Sequence, residues 1–349
     1  MASIGQIRGA LLEEAVLYLL HKVGYRVIYR AADSSELTGI RDGHSGLELR
    51  GRGTWHQIDA LAECDVSPAF MYPLRLILEA KFYTNTKIQL GAIRSFFGVE
   101  KDISENYFTK RVGGSDFSER RFNYRAAMLS VYGYTSGAVE FAVAHQIFLI
   151  EYKNIPVIAP VIDAIAAFGD NCITAPGKDS LAEVRAVMRN ALQLRAMPLT
   201  TPTYLTERGL LLINDVLAQS VRRIGGSYFG MLQGRWPIHF LTETEISPEA
   251  AATDVIQCRL SGNDQGQWGF YPIDVQEGSP RWFRLQFSLP PELASRISAR
   301  WDDPVAVATE KTRNFSFVNL SGIIGGIRRT IRLEMSREWL DQYLARIRP

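Results

Sequence analysis

Residues 55–63 read WHQIDALAE and residues 76–83 read LILEAKFY. Each sets charge into a run that otherwise reads as buried strand: Asp59 in the first, Glu79 and Lys81 in the second. Side chains alternate between the two faces of a strand, so Gln57, Asp59, Leu61 and Glu63 are expected on one face. In the second run Arg75, Ile77, Glu79 and Lys81 share a face, while Leu74, Leu76, Leu78 and Ala80 form an apolar one. Two carboxylates and an amine are thus expected to meet at a strand end. Buried charge is expensive unless it is paired or bound to metal. One reading is a salt bridge from Lys81 to Asp59 or Glu79. The other is a hard-cation site, in which Asp59, Glu79 and the backbone carbonyl of Ala80 hold Mg²⁺, with Mn²⁺ as a substitute. Lys81 would then orient a water and steady developing charge, the minimum for phosphodiester hydrolysis. Glu63 reads as a solvated strand end.

The surrounding pattern places these runs in an α/β unit. Residues 8–23 have apolar residues at helical spacing, and Gly24 suits the position just past a helix end. YRVIYRA reads as a strand, and the Gly-, Ser- and Asp-rich stretch 33–53 as a loop or irregular hairpin. Strands are expected over about 55–64 and 74–82, a helix over 87–103, and a strand over 126–131. A short helix and a last strand, IFLIEY, follow.

These runs resemble the PD-(D/E)XK nuclease superfamily and, within it, the Mrr-like restriction endonucleases. QIDALAE (57–63) and LILEAKFY (76–83) carry the Asp and the Glu-x-Lys, twenty residues apart from Asp59 to Glu79. GALLEEAVLYLLHKVGY (9–25) resembles the family's opening helix, with its Gly-aromatic end and a Glu facing the metal. GRGTWHQID (51–59) resembles the glycine-bearing approach to the catalytic Asp, although Ile58 stands where proline is usual. MLSVYGYTSGAVEFAVAHQIFLIEY (128–152) resembles the closing strand–helix–strand unit, with its Ser-x-x-Gly-aromatic turn. The resemblance covers about residues 1–155. It implies a restriction-endonuclease-like mixed central sheet flanked by helices, and a Mg²⁺-dependent DNA endonuclease of a bacterial restriction or antiphage defence system. The catalytic set would be Glu13, Asp59, Glu79 and Lys81. Register against Gly24-Tyr25 favours Glu13, with Glu14 as the alternative; as a plain surface acid either would lie in the first helical turn. The contrasting reading is a non-catalytic nucleic-acid-binding or scaffold module that keeps a nuclease-like fold.

Beyond residue 155 the chain changes character. Residues 156–204 read as a helical connector and 205–349 as a β-rich α+β domain whose role could be partner, signal or DNA recognition. Residues 206–223 look helical, and a helix closes the chain near 336–347. The aromatic residues Trp236, Phe270, Tyr271, Trp282 and Phe283 read as core. GIIGGIRR (322–329) lacks the Lys-Ser/Thr of a nucleotide loop and reads as a tight turn or close strand packing, so ATP hydrolysis would fall to a separate partner such as a HerA-like ATPase.

The net charge of +2 gives no global positive field, so any nucleic-acid surface must be local. Candidates for phosphate contact to duplex DNA are Arg50, Arg52, Lys87, Arg94 and the basic run 107–125, with Lys110, Arg111, Arg120 and Arg121. The five histidines show no ligand spacing, and His56 reads as structural. Cys64, Cys172 and Cys258 suggest no disulfide framework, and the N-terminal stretch does not read as a signal peptide. The expectation is a cytoplasmic protein, homo-oligomeric and without a membrane span.

Overall fold

A computed structural model describes residues 3–34, 39–43, 46–64, 70–106, 109–112, 115–118, 121–175, 177–194, 201–263 and 265–347. Helix α1 (Ile4–Val23) starts in a capping box: the Ser3 hydroxyl accepts from the Gln6 amide, and the Gln6 side chain accepts from the Ser3 amide. Gly24 ends it at φ +96°, a left-handed turn that lets its amide reach the His21 carbonyl. Glu13 and Glu14 fall in the middle of this helix and are buried, not in an exposed first turn.

The chain continues through β1 (Arg26–Ile28), β2 (Ile40–Asp42), β3 (Leu47–Arg50), β4 (Trp55–Gln57), β5 (Ala60–Cys64) and β6 (Leu74–Lys81). Then come α2 (Leu90–Ser104), β7 (Thr109–Val112), β8 (Ser115–Ser118), β9 (Asn123–Ser130), α3 (Ser136–Ala144) and β10 (Phe148–Glu151). The central sheet has the order β1-β5-β6-β9-β10 and is mixed: β5 is antiparallel to β1 and β6, whereas β6, β9 and β10 run parallel. Leu76, Leu78, Ala80 and Leu129 point into one core with α1, and Ile77, Ala126 and Met128 into another with α2 and α3. Alternation along β6 is thus as the sequence predicts. The sheet is buried on both faces, as parallel strands require.

Three expectations need correction. The 55–64 run is not one strand. Trp55–Gln57 pair in the small sheet β2-β3-β4, and the Ile58 amide still bonds the Leu47 carbonyl at 2.9 Å; pairing with β6 begins only at Ala60. Glu63 is not solvated. It is fully buried, with Arg75 Nη2 at 2.7 Å, Arg75 Nε at 2.9 Å and Arg26 as a further partner. The basic run 107–125 is not simply a loop: β7 and β8 pair antiparallel within it.

The motif at the end of β9 has a mechanical reason. Ser130 Oγ accepts the Gly133 amide at 2.8 Å, and Gly133 adopts φ +113° with Glu151 against it, a position no side chain would fill without strain. Tyr134 OH then bonds the Met128 and Ile150 carbonyls at 2.6 and 2.9 Å, pinning β9 to β10.

Helices α4 (Ala159–Ala167) and α5 (Lys178–Ala191) follow; α6 (Glu207–Leu211) runs through a π-helical stretch, Leu212–Leu217, into α7 (Ala218–Arg222). Their apolar residues, from Val161 to Ile224, belong to the same core as α1. A closed barrel is then built from β11 (Gly226–Leu232), β12 (Trp236–Thr242), β13 (Val255–Gly262), β14 (Trp268–Pro272), β15 (Leu285–Phe287), β16 (Phe317–Ile324) and β17 (Ile327–Met335). Helices α8 (Pro291–Ser298) and α9 (Pro304–Asn314) lie between β15 and β16, and α10 (Arg337–Ile347) follows β17. Phe270 and Phe283 are fully buried in the barrel core, and Gly325-Gly326 make the β16–β17 turn. Among the described residues no helix is long and apolar enough to cross a membrane.

The barrel is joined to the sheet through a buried polar relay. Tyr152 OH lies 2.9 Å from His239 Nδ1, and Ser227 Oγ lies 2.8 Å from His239 Nε2. Gln286 Oε1 accepts the Val157 amide at 3.0 Å nearby. Burial lowers the His239 imidazole to about 3. The unfolded chain takes up this proton near the ordinary value, 6.5; the folded chain resists it until about 3, so the stability contribution is lost as pH falls through that window. His239→Gln, which does not titrate, should destabilise the protein by about 1–3 kcal/mol near pH 7. It should also flatten the acid side of the stability profile by up to about 1.4 kcal/mol per pH unit. Urea unfolding of both proteins at several pH values between 7 and 4.5 checks this, and parallel profiles would refute it.

Candidate active site

Asp59 occupies the step where the chain leaves one sheet for the other, immediately before β5. The register Ala60↔Leu78, carried one residue further, sets Asp59 across from Glu79. Glu79 and Lys81 leave the end of β6 on the same face, and their side chains pair with Nζ–Oε1 at 2.6 Å. The salt-bridge reading of Lys81 is therefore realised with Glu79, while both side chains stay partly accessible, at 29% and 25%.

Glu13 reaches this place from α1. Burial raises the Asp59 carboxyl to about 7, and the charges of Glu13 and Glu79 push it the same way, against Lys81 and Arg185. Glu13 is itself raised, by burial first, although Arg185 opposes this. Burial alone would lower the Lys81 ammonium; Glu79, by charge and hydrogen bond, and Asp59 lift it above its ordinary value. Glu13, Asp59, Glu79 and Lys81 thus form one electrostatic unit, gathered from a helix, a sheet-switch and a strand end.

The arginine comes from α5, which was not among the sequence candidates. Arg185 bonds Glu13 through Nη2 and Glu14 through Nη1, the latter at 2.9 Å. Arg189, one turn on, grips Glu14 with Nε–Oε2 and Nη2–Oε1 distances of 2.7 Å. Glu14 is fully buried and serves as the anchor, whereas Glu13 is the helix carboxylate that acts on Asp59. A sequence signal was present: two adjacent glutamates in an otherwise buried helix require cations, and α5 carries arginines four residues apart on one face.

A cleft of about 470 Å³ opens over Asp59, lined among others by Tyr29, Gln57, Lys178, Arg185 and Arg189. Glu79 and Lys81 do not line it. The other basic candidates lie elsewhere. Arg50 stands over the Trp55 ring at 5.6 Å, Arg94 over Phe141 at 5.6 Å, and Arg52 is exposed, its amide on the Asp102 carbonyl. Lys87 lines a separate cleft with Glu151, Lys153 and Glu292. Arg121 is exposed; Arg120 and the side chains of Lys110 and Arg111 lie outside the described residues. His56 Nε2 is 2.7 Å from Asp102 Oδ2, which also accepts the Thr54 amide and so holds the glycine-bearing approach to Asp59 against α2.

The donor chemistry suits a hard divalent cation: carboxylates of Asp59 and Glu79 with the Ala80 carbonyl, where burial and the nearby charges of Glu13 and Glu79 make Asp59 reluctant to ionise. Among the described residues no three His, Cys, Asp or Glu side chains are already grouped to hold a metal. Mg²⁺ needs only one or two carboxylates, with water completing its shell.

No family model and no curated protein matches the chain. A solved crystal structure, described as a protein of unknown function, AF1548, is similar over 61% of this chain and 92% of its own, at 15% identity and a TM-score of 0.32.

The raised Asp59 has a consequence for stability without metal. Its folded value, about 7, lies above the ordinary 3.8. Between these the folded protein holds a proton that the unfolded chain has lost, so stability falls as pH rises through that window. Asp59→Asn should therefore stabilise the metal-free protein, by a margin that grows from pH 4 to pH 7 and reaches about 1–4 kcal/mol. Thermal melts of both proteins in EDTA across that range are the measurement, and a constant or shrinking margin would refute it.

Proposed function

We propose that the chain is a metal-dependent phosphodiester hydrolase acting on DNA, an endonuclease of the PD-(D/E)XK, Mrr-like kind with a restriction-endonuclease-like core, working in the cytoplasm in restriction or antiphage defence. The observation that carries this reading is the convergence of Glu13, Asp59, Glu79 and Lys81, with Asp59 driven up by burial and by two other carboxylates. Like charges gathered at a sheet end cost stability, and a hard cation relieves that cost. The mixed sheet, with α1 on one face and α2 and α3 on the other, adds support.

A cation bound at Asp59, Glu79 and the Ala80 carbonyl supplies Lewis-acid polarisation of the phosphate and a water of lowered pKa. Asp59 must give up its proton to serve as ligand, so binding should strengthen as pH rises through about 7. Lys81, kept charged by Glu79, acts as a donor to the attacking water or to the developing negative charge. Glu13, held by Arg185 and felt at Asp59, would accept hydrogen bonds from waters of such a cation. A separate translocating ATPase and self-assembly belong to the same proposal.

One observation favours a second reading, a non-catalytic nucleic-acid-binding module: Glu79 and Glu13 are already ion-paired, to Lys81 and Arg185. Incubation with plasmid, linear duplex, single-stranded DNA and RNA, in Mg²⁺ and in EDTA, decides between them. Cleavage should need the metal and favour duplex. Asp59→Ala, Glu79→Ala and Lys81→Ala should each lower it by at least about 100-fold while remaining folded. Mn²⁺ binding without cleavage of any substrate, or cleavage that survives Asp59→Ala, would overturn the assignment.

A further inference from the structure

The buried acids on α1 draw their counter-charges from outside the part of the chain that resembles a nuclease. Arg185 and Arg189 stand on α5, and both line the cleft over Asp59. The two arginines do different things. Arg189 is spent on Glu14, which it holds with two hydrogen bonds, and it stacks over the Tyr29 ring at 4.9 Å. Arg185 forks, one arm on Glu14 and the other on Glu13 Oε2. A planar guanidinium fixes direction as well as charge. Its fork therefore sets where the Glu13 carboxylate points, using the immobile Glu14 as the reference.

Helix α5 is in turn held from the other side. Glu183 Oε1 accepts the Tyr204 and Leu205 amides at 2.9 and 2.7 Å, and Oε2 accepts the Thr203 amide at 2.7 Å. Those residues lead into α6 and, through it, to the barrel. The packing of α5 on α1 is thus joined covalently and by hydrogen bonds to the C-terminal half of the chain.

We infer that Arg185 is a positioning residue of the site: from the connector helix α5 it holds the Glu13 carboxylate beside Asp59, so the site is complete only while α5 is docked on α1. This rests on the hydrolase reading above and adds to it a place where the C-terminal half can act on the site. Arg185 touches neither Asp59 nor Glu79 by hydrogen bond or ion pair among the described contacts; its charge is felt at Asp59, and its hydrogen-bonded hold on the site runs through Glu13.

A double-mutant cycle on the full-length protein tests this, with Mn²⁺ affinity by calorimetry at fixed pH and circular dichroism as a check on folding. Arg185→Gln should weaken Mn²⁺ binding by about 10-fold, the low end of the range for groups that act from outside the ligand set. In a Glu13→Gln background the same substitution should cost clearly less, since no carboxylate is left to orient and only the direct charge on Asp59 is lost. Arg185→Lys keeps the charge without the fork and should fall between. A merely structural arginine would lower stability in both backgrounds without this coupling. If Arg185→Gln fails to fold, the cycle is run with Arg185→Lys, which should lose affinity only when Glu13 is present. Unchanged affinity in the folded arginine variant, or an equal loss in both backgrounds, overturns the inference and leaves the hydrolase reading standing. A wild-type protein that does not bind Mn²⁺ overturns both.

Discussion

The ion cluster of Glu13 and Glu14 with Arg185 and Arg189 constrains most of what surrounds it. Glu14 has no exposed surface, and α1 is packed along nearly its whole length. A carboxylate removed from water costs several kcal/mol unless opposite charge and hydrogen bonds replace the water, and losing one partner leaves the other stranded. Helix α1 therefore cannot sit against the sheet with these glutamates unless α5 is laid beside it. The cleft follows, because its walls are α5 on one side and the β4–β5 switch on the other. So does the charge balance at Asp59, where Arg185 opposes Glu13 and Glu79.

A second constraint is the sheet change at Ile58–Asp59. Were residues 55–64 one continuous strand, Asp59 would be an inner member of a ladder with its side chain packed against neighbours. Because pairing passes from β3 to β6 at this point, Asp59 stands at a free end with Glu79 across from it. The His56–Asp102 pair holds the approach, and the Tyr134 hydrogen bonds hold the parallel strands that support Glu79 from behind. Local irregularity carried by a rigid frame is what sets Asp59 at this sheet end.

The barrel adds a third layer of restraint on the same helix. Lys22 Nζ donates to the Gly225 carbonyl at 2.6 Å, and Arg328 Nη1 to the Gly24 carbonyl at 2.7 Å, so the C-terminal end of α1 is fastened to the barrel. Tyr25 meets Phe229 edge-on at 5.8 Å, and the Tyr152–His239–Ser227 relay fixes the far end of β10. The helix that brings Glu13 to the site is thus held at its middle by α5 and at its end by the barrel.

The sequence by itself determined what is local. Periodicity marked α1 and the apolar face of β6; Gly24 marked where α1 stops; and the Glu-x-Lys spacing put Glu79 and Lys81 on one face, while the glycines at 325–326 allowed either a turn or close strand packing and proved to be the turn. Each depends on neighbours within a few residues, which is the range over which backbone sterics and side-chain alternation act. The tertiary structure alone decided the rest. Glu63, placed by local pattern at a solvated end, is buried because Arg75 and Arg26 arrive from other strands. The strand at 55–64 divides because two sheets compete for it, a matter of long-range pairing that no window of sequence contains. The different partners of Glu13 and Glu14 come from arginines some 170 residues away, Arg189 holding Glu14 alone and Arg185 holding both. Closure of the seven C-terminal strands into a barrel is set by long-range register, including the parallel pairing of β13 with β17. Burial and charge depend on everything that comes within a few ångströms, and the chain brings those groups together only once it has folded.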